Sequence, residues 1–504
     1  MEPYYFRMAR LPVAEILRQP PSWGPLYALW RKPFVALLGD PLSVYAANVY
    51  ALSVAVSVAM YGCVLLPTRR VGVAVGAALV FLVSDLNVPL PGKVCSFALL
   101  VVLMGIGLAG LASARVTRAA VMAIAVLVAS YARPELYPAA LVLGLVSVWW
   151  ARGASGVTGA RAWVWPAAAL AAILIAALAL STPISGGGHF HAAFQATFAW
   201  NWNRWHGEHR DLFSIWQREF GTATSVADAI RTNPGAVPRH AADNLLGTLR
   251  WLGGSAFDHY PVLFPATSRS LVQAEIALLS VAAFGVLAAA LCTGRRYLRG
   301  DTLFLYAVVA LFPLASGVAI FPSPRYLLVP GVLLMLAAAE AAAVLLPIGR
   351  RLPWTLRTLG ALVCLAAIPR PFVLPTAYEV DGVPFLGRMT VARTITDTVV
   401  FIRSLGLPTP LVVLTATDGI GEMCGPGFRE LRIWEKGEQP LAAYMRANDV
   451  GLVINLEGGR ESFGFDDPYW GQFVLRPEDA GFVRLSVPGH EAVGVYVRAD
   501  LIAK

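Results

Sequence analysis

Hydrophobic residues in this chain gather into long, nearly charge-free runs. An apolar run of about 17–25 residues can cross roughly 30 Å of hydrocarbon as a helix. Runs at about 43–67, 71–90, 95–113, 119–132, 137–151, 163–182, 271–293, 302–321, 326–348 and 354–372 predict about ten such spans. The fourth and fifth are short, so their shared turn at 133–137 is expected inside the lipid boundary. The pattern then changes. TVARTITDTVVFIRSLG reads as a helix, PLVVLTAT as a strand, EQPLAAYMRAND as a helix and VGLVINL as a strand, with GFVRLSV-PGHE-AVGVYVR as a closing hairpin. The expected fold class is a polytopic α-helical membrane protein of about ten transmembrane helices with a C-terminal extracytoplasmic α/β domain.

The segments between runs complete the organisation: a first loop over 1–42, six spans within 43–182, a long loop over 183–270, four spans within 271–372 and the α/β tail over 373–504. The long loop opens on SGGGHFH, expected to be flexible, and continues through Phe194, Phe198, Trp200, Trp202 and Trp205. TSVADAI and PRHAADNLLGTLRWL carry helix signatures, with Leu245, Leu246, Leu249 and Leu252 on one face. Tryptophans and amphipathic helices of this kind usually lie at the membrane interface; each tryptophan reads either as packing on the span tops or as a substrate contact.

Composition excludes a soluble globular chain, since 57% of residues are hydrophobic and 14% charged, where soluble domains carry about a quarter charged. The charge is distributed one-sidedly. Arg69 and Arg70, Arg115 and Arg118, Arg152 and Arg161, Arg295, Arg296 and Arg299, and Arg350, Arg351 and Arg357 occupy alternate loops, with Asp301 the one acid among them. The intervening short loops carry Lys93, Arg133 beside Glu135, and Arg325. The positive-inside rule assigns the arginine set to the cytoplasm, which puts residues 1–42 and the tail outside. A polar segment of that size seldom translocates unaided, so a further span upstream of residue 1 is expected. The net charge of +9 is assigned to orientation and to anionic lipid head groups, not to nucleic acid. Richness in Ala, Val, Arg and Gly points to a bacterial gene, hence to a bacterial plasma membrane. Cys424 stands alone in the tail, the other four cysteines falling in or beside spans, so no disulfide framework forms there.

Candidate chemistry lies in the outward charges, because charge near hydrocarbon is expensive. Arg133-Pro134-Glu135 stands where one helix ends and the next begins. It reads either as an arginine aimed at a phosphate and oriented by the carboxylate, or as a turn-stabilising ion pair. Arg325 and Tyr326 open a span after Pro322 and Pro324; the guanidinium fork suits a lipid phosphate, with snorkelling to ordinary head groups as the other reading. His189 and His191 follow three glycines and could bind phosphate, act as a base or coordinate a metal, for which no third ligand is obvious. HGEH at 206–209 lacks the HExxH spacing of a zinc protease. No cofactor is indicated, and a divalent cation is not supported. Asp85 sits near the outer end of its span, as a cap or as a catalytic acid. The glycine-rich TDGIGEMCGPG follows a strand without the dinucleotide fingerprint.

EPYYFRMA, PPSWGPLYALW, ARPELY and SPRYLLVP together resemble the GT-C superfamily of membrane glycosyltransferases, across the membrane part and more loosely the tail. Those enzymes carry an acidic residue in the extracytoplasmic first loop, then an amphipathic helix and a Pro-rich stretch. Here Pro3 follows the acid where the family often has a second acid. The resemblance implies a sugar moved from a polyprenyl-phosphate donor to a glycan, lipid or protein acceptor on the outer face. It puts Glu2 in the role of base, and Arg133, Glu135, Arg325 and Tyr326 at the donor site or helix junction. A lipid-linked glycan ligase or polymerase of the same fold, a transporter or flippase, and a non-enzymatic assembly factor are the alternatives. Glu340 is the main charge within the central parts of the spans.

Overall fold

The computed structural model of the chain describes residues 2–19, 24–83, 94–153, 163–180, 182–183, 188–208, 212–255, 300–322, 324–345, 384–415, 419–436, 439–456 and 468–502. It is mostly helical, with a mixed α/β sheet at the C-terminus. Two short helices, α1 (Glu2–Arg10) and α2 (Val13–Arg18), precede α3 (Pro25–Leu38). The first group of bundle helices is α4 (Pro41–Thr68), α5 (Val71–Val83), α6 (Val94–Leu111), α7 (Arg115–Ser130), α8 (Tyr137–Arg152) and α9 (Val164–Leu180). The long loop folds into α10 (Gly188–His206), α11 (Leu212–Phe220), α12 (Val226–Thr232) and α13 (Ala236–Ser255), and α14 (Gly300–Ala319) and α15 (Pro324–Leu345) follow.

Among the described residues four helices are long and apolar enough to cross a membrane: Pro41–Thr68, Val94–Leu111, Pro134–Arg152 and Gly300–Ala319. Val71–Leu82, Val164–Leu180 and Tyr326–Glu340 are shorter apolar helices. These suggest a multi-pass membrane protein. The expected spans at 271–293 and 354–372 lie outside the described residues. The lipid-facing side is recognisable from what it leaves uncovered. Leu108, Leu145, Trp149, Leu174 and Leu311 are exposed, and Leu178 is 78% exposed. In water such an apolar band would drive association; in hydrocarbon it costs nothing.

Packing follows from where small and large side chains fall. On α4, Val44, Asn48, Leu52, Val56, Met60 and Val64 recur every fourth residue and are all buried, forming one ridge against the bundle. Helix α7 is the inner element, packed by α6, α8, α9 and α14. Its Ala119, Ala120, Ala123 and Ala129 are buried, and a Cβ on Gly105 of α6 would lie 2.3 Å from the Ala125 Cβ. Such small residues let helices without a hydrophobic driving force between them pack closely.

Two ends can be distinguished. At the arginine-rich end α4 finishes at Arg69, in the left-handed conformation (φ 55°), while α7 and α14 begin. There Arg118 pairs with Asp301 and donates to the Ala112 carbonyl at 3.4 Å. At the opposite end α1 to α3 lie over the turn between α7 and α8. Asn48 of α4 fixes α3 by donating to the Tyr27 hydroxyl at 2.7 Å and accepting from the Trp30 indole at 2.8 Å.

The tail is a five-stranded sheet with helices on both faces. Its strands are β1 (Leu411–Thr415), β2 (Phe428–Arg432), β3 (Val450–Asn455), β4 (Phe482–Val487) and β5 (His490–Arg498), in the order β2-β1-β3-β5-β4. β1 runs parallel to β2 and β3, and β5 antiparallel to β3 and β4. Alternation along each strand splits the core. Val413, Leu452, Ile454, Val495 and Val497 meet α16 (Pro384–Ser404) and α17 (Ile420–Cys424). Leu414, Val453 and Tyr496 meet α18 (Leu441–Ala447) and α19 (Pro468–Leu475). Strands β1 and β3 and the closing β4–β5 hairpin fall where the sequence pattern predicts them; β2, whose FRELR carries three charges, is an edge strand the pattern does not predict, and α20 (Ala499–Ile502) ends the fold.

Because Ile454 is fully buried in the central strand, Ile454→Ala should destabilise the tail by about 2–4 kcal/mol. Limited proteolysis of the full chain checks this. Tail cleavage as slow as in the wild type would contradict the packing described.

Candidate functional site

The sequence-predicted residues Arg133, Glu135 and Tyr326 meet at the end of the bundle covered by α1 to α3. Arg133 leaves α7 in an extended conformation, and Pro134 starts a single 3-10 turn, Pro134–Leu136, that leads into α8. The guanidinium is buried. Its Nε donates to Glu135 at 2.6 Å, Nη2 pairs with the same carboxylate, and Nη1 donates to the Cys95 sulfur at 3.3 Å. Its face lies 5.1 Å from the Tyr326 ring centroid. All three nitrogens and the π face are therefore occupied, so the geometry favours the ion-pair reading over an arginine free to meet a phosphate. The cluster ties α6, the α7–α8 turn and α15 together.

The remaining predicted residues are distributed as follows. Arg325 is placed by its backbone in the first turn of α15, next to Tyr326, and Glu2 by its backbone as the first residue of α1. One turn beyond Glu2, Tyr5 is buried against Tyr27, ring centroids 4.7 Å apart. Gly24 has φ +67°, and a Cβ there would lie 3.0 Å from the Ala132 carbonyl oxygen, so the chain before α3 rests directly on the end of α7. His189 is placed by its backbone in the first turn of α10, which begins at Gly188 inside the segment expected to be flexible. His191 belongs to a separate aromatic cluster, edge-on to Trp216 at 5.0 Å. Asp85 and Lys93 lie outside the described residues.

A second group closes the same end. Arg7 of α1 meets Glu422 of α17 at 2.5 Å, and Asp40, the N-cap of α4, meets Arg403 of α16 at 2.8 Å. The tail is thus joined to the N-terminal segment by two ion pairs. Burial pushes Glu422 up to about 7, against the lowering influence of Arg7, and its Oε2 is buried without a hydrogen-bond partner. The glycine-rich loop before α17 is filled from within. The Gly419 and Gly421 N–H groups donate to the Glu430 carboxylate at 2.7 and 2.9 Å, taking amides that would otherwise suit a phosphate. Burial pushes the Cys424 thiol up to about 12, which leaves it protonated and unreactive at neutral pH.

No family model, curated protein or solved structure matches the chain. The geometry alone therefore carries the functional argument. Among the described residues no group of three or more His, Cys, Asp or Glu side chains could hold a metal ion.

The sequence reading missed the buried amide–imidazole network of the long loop. His240 Nε2–H donates to the Ile320 carbonyl at 3.0 Å, and its Nδ1 accepts from Asn201 at 2.9 Å, while Asn244 donates to Val318 O and Ile320 O. Burial lowers the His240 pKa, so the ring is neutral and fastens α10 and α13 to the end of α14. The available signal was His240 and Asn244 four apart on one helix face.

Two outcomes follow. Removing one partner of a buried pair costs about 3–5 kcal/mol, so Arg133→Ala should lower thermal stability strongly, and Glu135→Ala added to it should restore part of the loss. A double-mutant cycle with additive effects would refute the clamp. Second, the folded protein holds a proton on Glu422 that the unfolded chain gives up near its ordinary 4.5. The unfolded state therefore binds fewer protons between about 4.5 and 7, and stability falls as pH rises through that window. Glu422→Gln should flatten this limb of the stability profile; equal slopes in variant and wild type would show that Glu422 does not titrate there.

Proposed function

We propose that the protein is a GT-C-type membrane glycosyltransferase. It would move a sugar from a polyprenyl-phosphate donor to a glycan, lipid or protein acceptor at the outer face of a bacterial plasma membrane. One observation supports this reading most: the end of the bundle away from the arginines is covered by α1 to α3, and the α/β domain is held there through Arg7 of α1 with Glu422 and Asp40, the N-cap of α4, with Arg403. With about ten spans and the arginines in the cytoplasm, that covered end would face outward at the depth of a lipid carrier's phosphate.

A polyprenyl-phosphate sugar is already activated. Glu2, at the start of α1, would take the acceptor hydroxyl's proton as the oxygen attacks the anomeric carbon. Phosphate departs, and cations stabilise the charge developing on it. Arg325 and Lys93 suit that role better than Arg133, whose donors are spent on Glu135 and Cys95. Arg133, Glu135 and Tyr326 would instead hold the helix junction on which the donor site is built.

One observation favours a second reading, a transporter or flippase. A cavity opens at the arginine-rich end and is lined in its depth by Tyr306 and Glu340. An ionisable group inside a span commonly marks a substrate or proton path.

The test incubates the purified full-length chain with radiolabelled polyprenyl-phosphate sugars and scores released polyprenyl phosphate. Turnover of one donor, reduced by about 100-fold or more in Glu2→Gln as expected for a lost general base and also reduced in Arg325→Ala, is the expected result. Absence of turnover with every donor, together with movement of a lipid-linked sugar across vesicles, would establish the transporter reading instead.

A further inference from the structure

The arginine-rich end contains a cavity of about 490 Å³ between α4, α6, α7, α14 and α15. This is within the roughly 300–1,000 Å³ range of small-molecule sites. Its mouth is polar and its walls are apolar. Arg70 enters from the sharp α4–α5 turn, Arg118 from the first turn of α7, and Thr68 and Thr302 stand beside them. Leu66, Ile106 and Met122 continue inward. The lining is open where glycine permits it: a Cβ on Gly110 would meet nothing within 4 Å, and one on Gly107 only the Leu66 Cδ1 at 4.0 Å.

The two arginines are incompletely satisfied. Arg118 is 8% exposed; Asp301 takes its Nη2, yet its Nε is buried without a hydrogen-bond partner. The Nη1 of Arg70 is also buried and unpartnered. A buried N–H left unmade costs about 1–3 kcal/mol, and more on a charged group, so these donors call for an acceptor carried by a ligand. The acids nearby do not supply it. Asp301 is committed to Arg118, and Glu340, deeper in the cavity, accepts from the Tyr306 hydroxyl at 2.9 Å. Helices α5, α7 and α14 all begin at this end, and their N-terminal dipoles add favourable potential for an anion.

We infer that this cavity binds the phosphate head group of an anionic membrane lipid. Arg70 and Arg118 donate to the phosphate oxygens, and the adjoining carbon chain lies against Leu66, Ile106 and Met122. The phosphate chemistry is shared with free phosphate esters; the apolar walls at the end of a membrane-spanning bundle favour the lipid. The inference is independent of any transfer reaction at the opposite end.

The probes are phosphatidylglycerol, phosphatidylcholine and inorganic phosphate, each added to the full-length chain in neutral detergent and followed by native mass spectrometry. Wild type should retain phosphatidylglycerol over phosphatidylcholine by about fivefold or more, the scale of one arginine at a lipid phosphate. Arg70→Gln, at the half-buried mouth, and Gly110→Leu, which fills the space and leaves both arginines, should each abolish the preference. Arg115→Gln, whose guanidinium lies 5.6 Å over Trp150 outside the cavity, should preserve it. Displacement of bound phosphatidylglycerol by inorganic phosphate would confirm that the head group is what is recognised. Binding of inorganic phosphate without any lipid preference would overturn the lipid as the ligand. Equal retention of the two lipids by wild type, or a preference surviving both variants, would overturn the site.

Discussion

A charge left unpaired in hydrocarbon costs several kcal/mol, and the arrangement of this bundle depends on how α7 meets that cost at each end. Arg118, in its first turn, is joined to Asp301 of α14; Arg133, just past its last, is joined to Glu135 and covered by Cys95 and Tyr326. Between them the helix is largely alanine and valine, so its neighbours approach closely. The two pairs thus fix α6, α8, α14 and α15 around one central helix. Apolar contacts with lipid tails are as favourable as contacts with other helices, and so cannot by themselves fix such a register.

The same constraint explains which parts of the fold were legible in the sequence. In the tail, β1, β3, the closing hairpin and helices α16 and α18 were legible as apolar strand runs and helical patterning, whereas the charged edge strand β2 and the short α17 and α19 were not. Membrane helices carry no such patterning, so their existence is readable but their neighbours are not. Arg133 and Glu135 could be paired by inspection, being two residues apart around a proline, yet nothing in the sequence points from Arg133 to Cys95 or Tyr326. Arg118 and Asp301 are separated by 183 positions. Only the lone acid among the arginine loops hinted at that pair. In the glycine-rich loop the sequence shows only that the dinucleotide fingerprint is missing, not what occupies the glycine amides. The carboxylate that fills the loop, Glu430, comes from the strand after it.

The contrast between the two ends matters more for function than either cluster alone. At the covered end Arg133 is joined to Glu135, Arg403 to Asp40, Arg7 to Glu422, and Glu430 to glycine amides. These contacts build a junction that holds the α/β domain against the bundle, and any reacting groups there would be carried on it. At the arginine-rich end the buried Arg118 and the half-buried Arg70 each keep one buried N–H group without a partner beside an open space.

A positive cluster at a membrane surface needs no ligand to be useful, since it sets orientation and attracts acidic lipids through a screened field. Burial changes that role. Arg118 is withdrawn among helices, where the field is less screened but each unmet N–H has also lost its water. Orientation alone would have been served by exposed arginines such as Arg69. The position of Arg118 and Arg70 at the mouth of a cavity, with glycines keeping its wall open, is what turns a topological signal into a recognition surface.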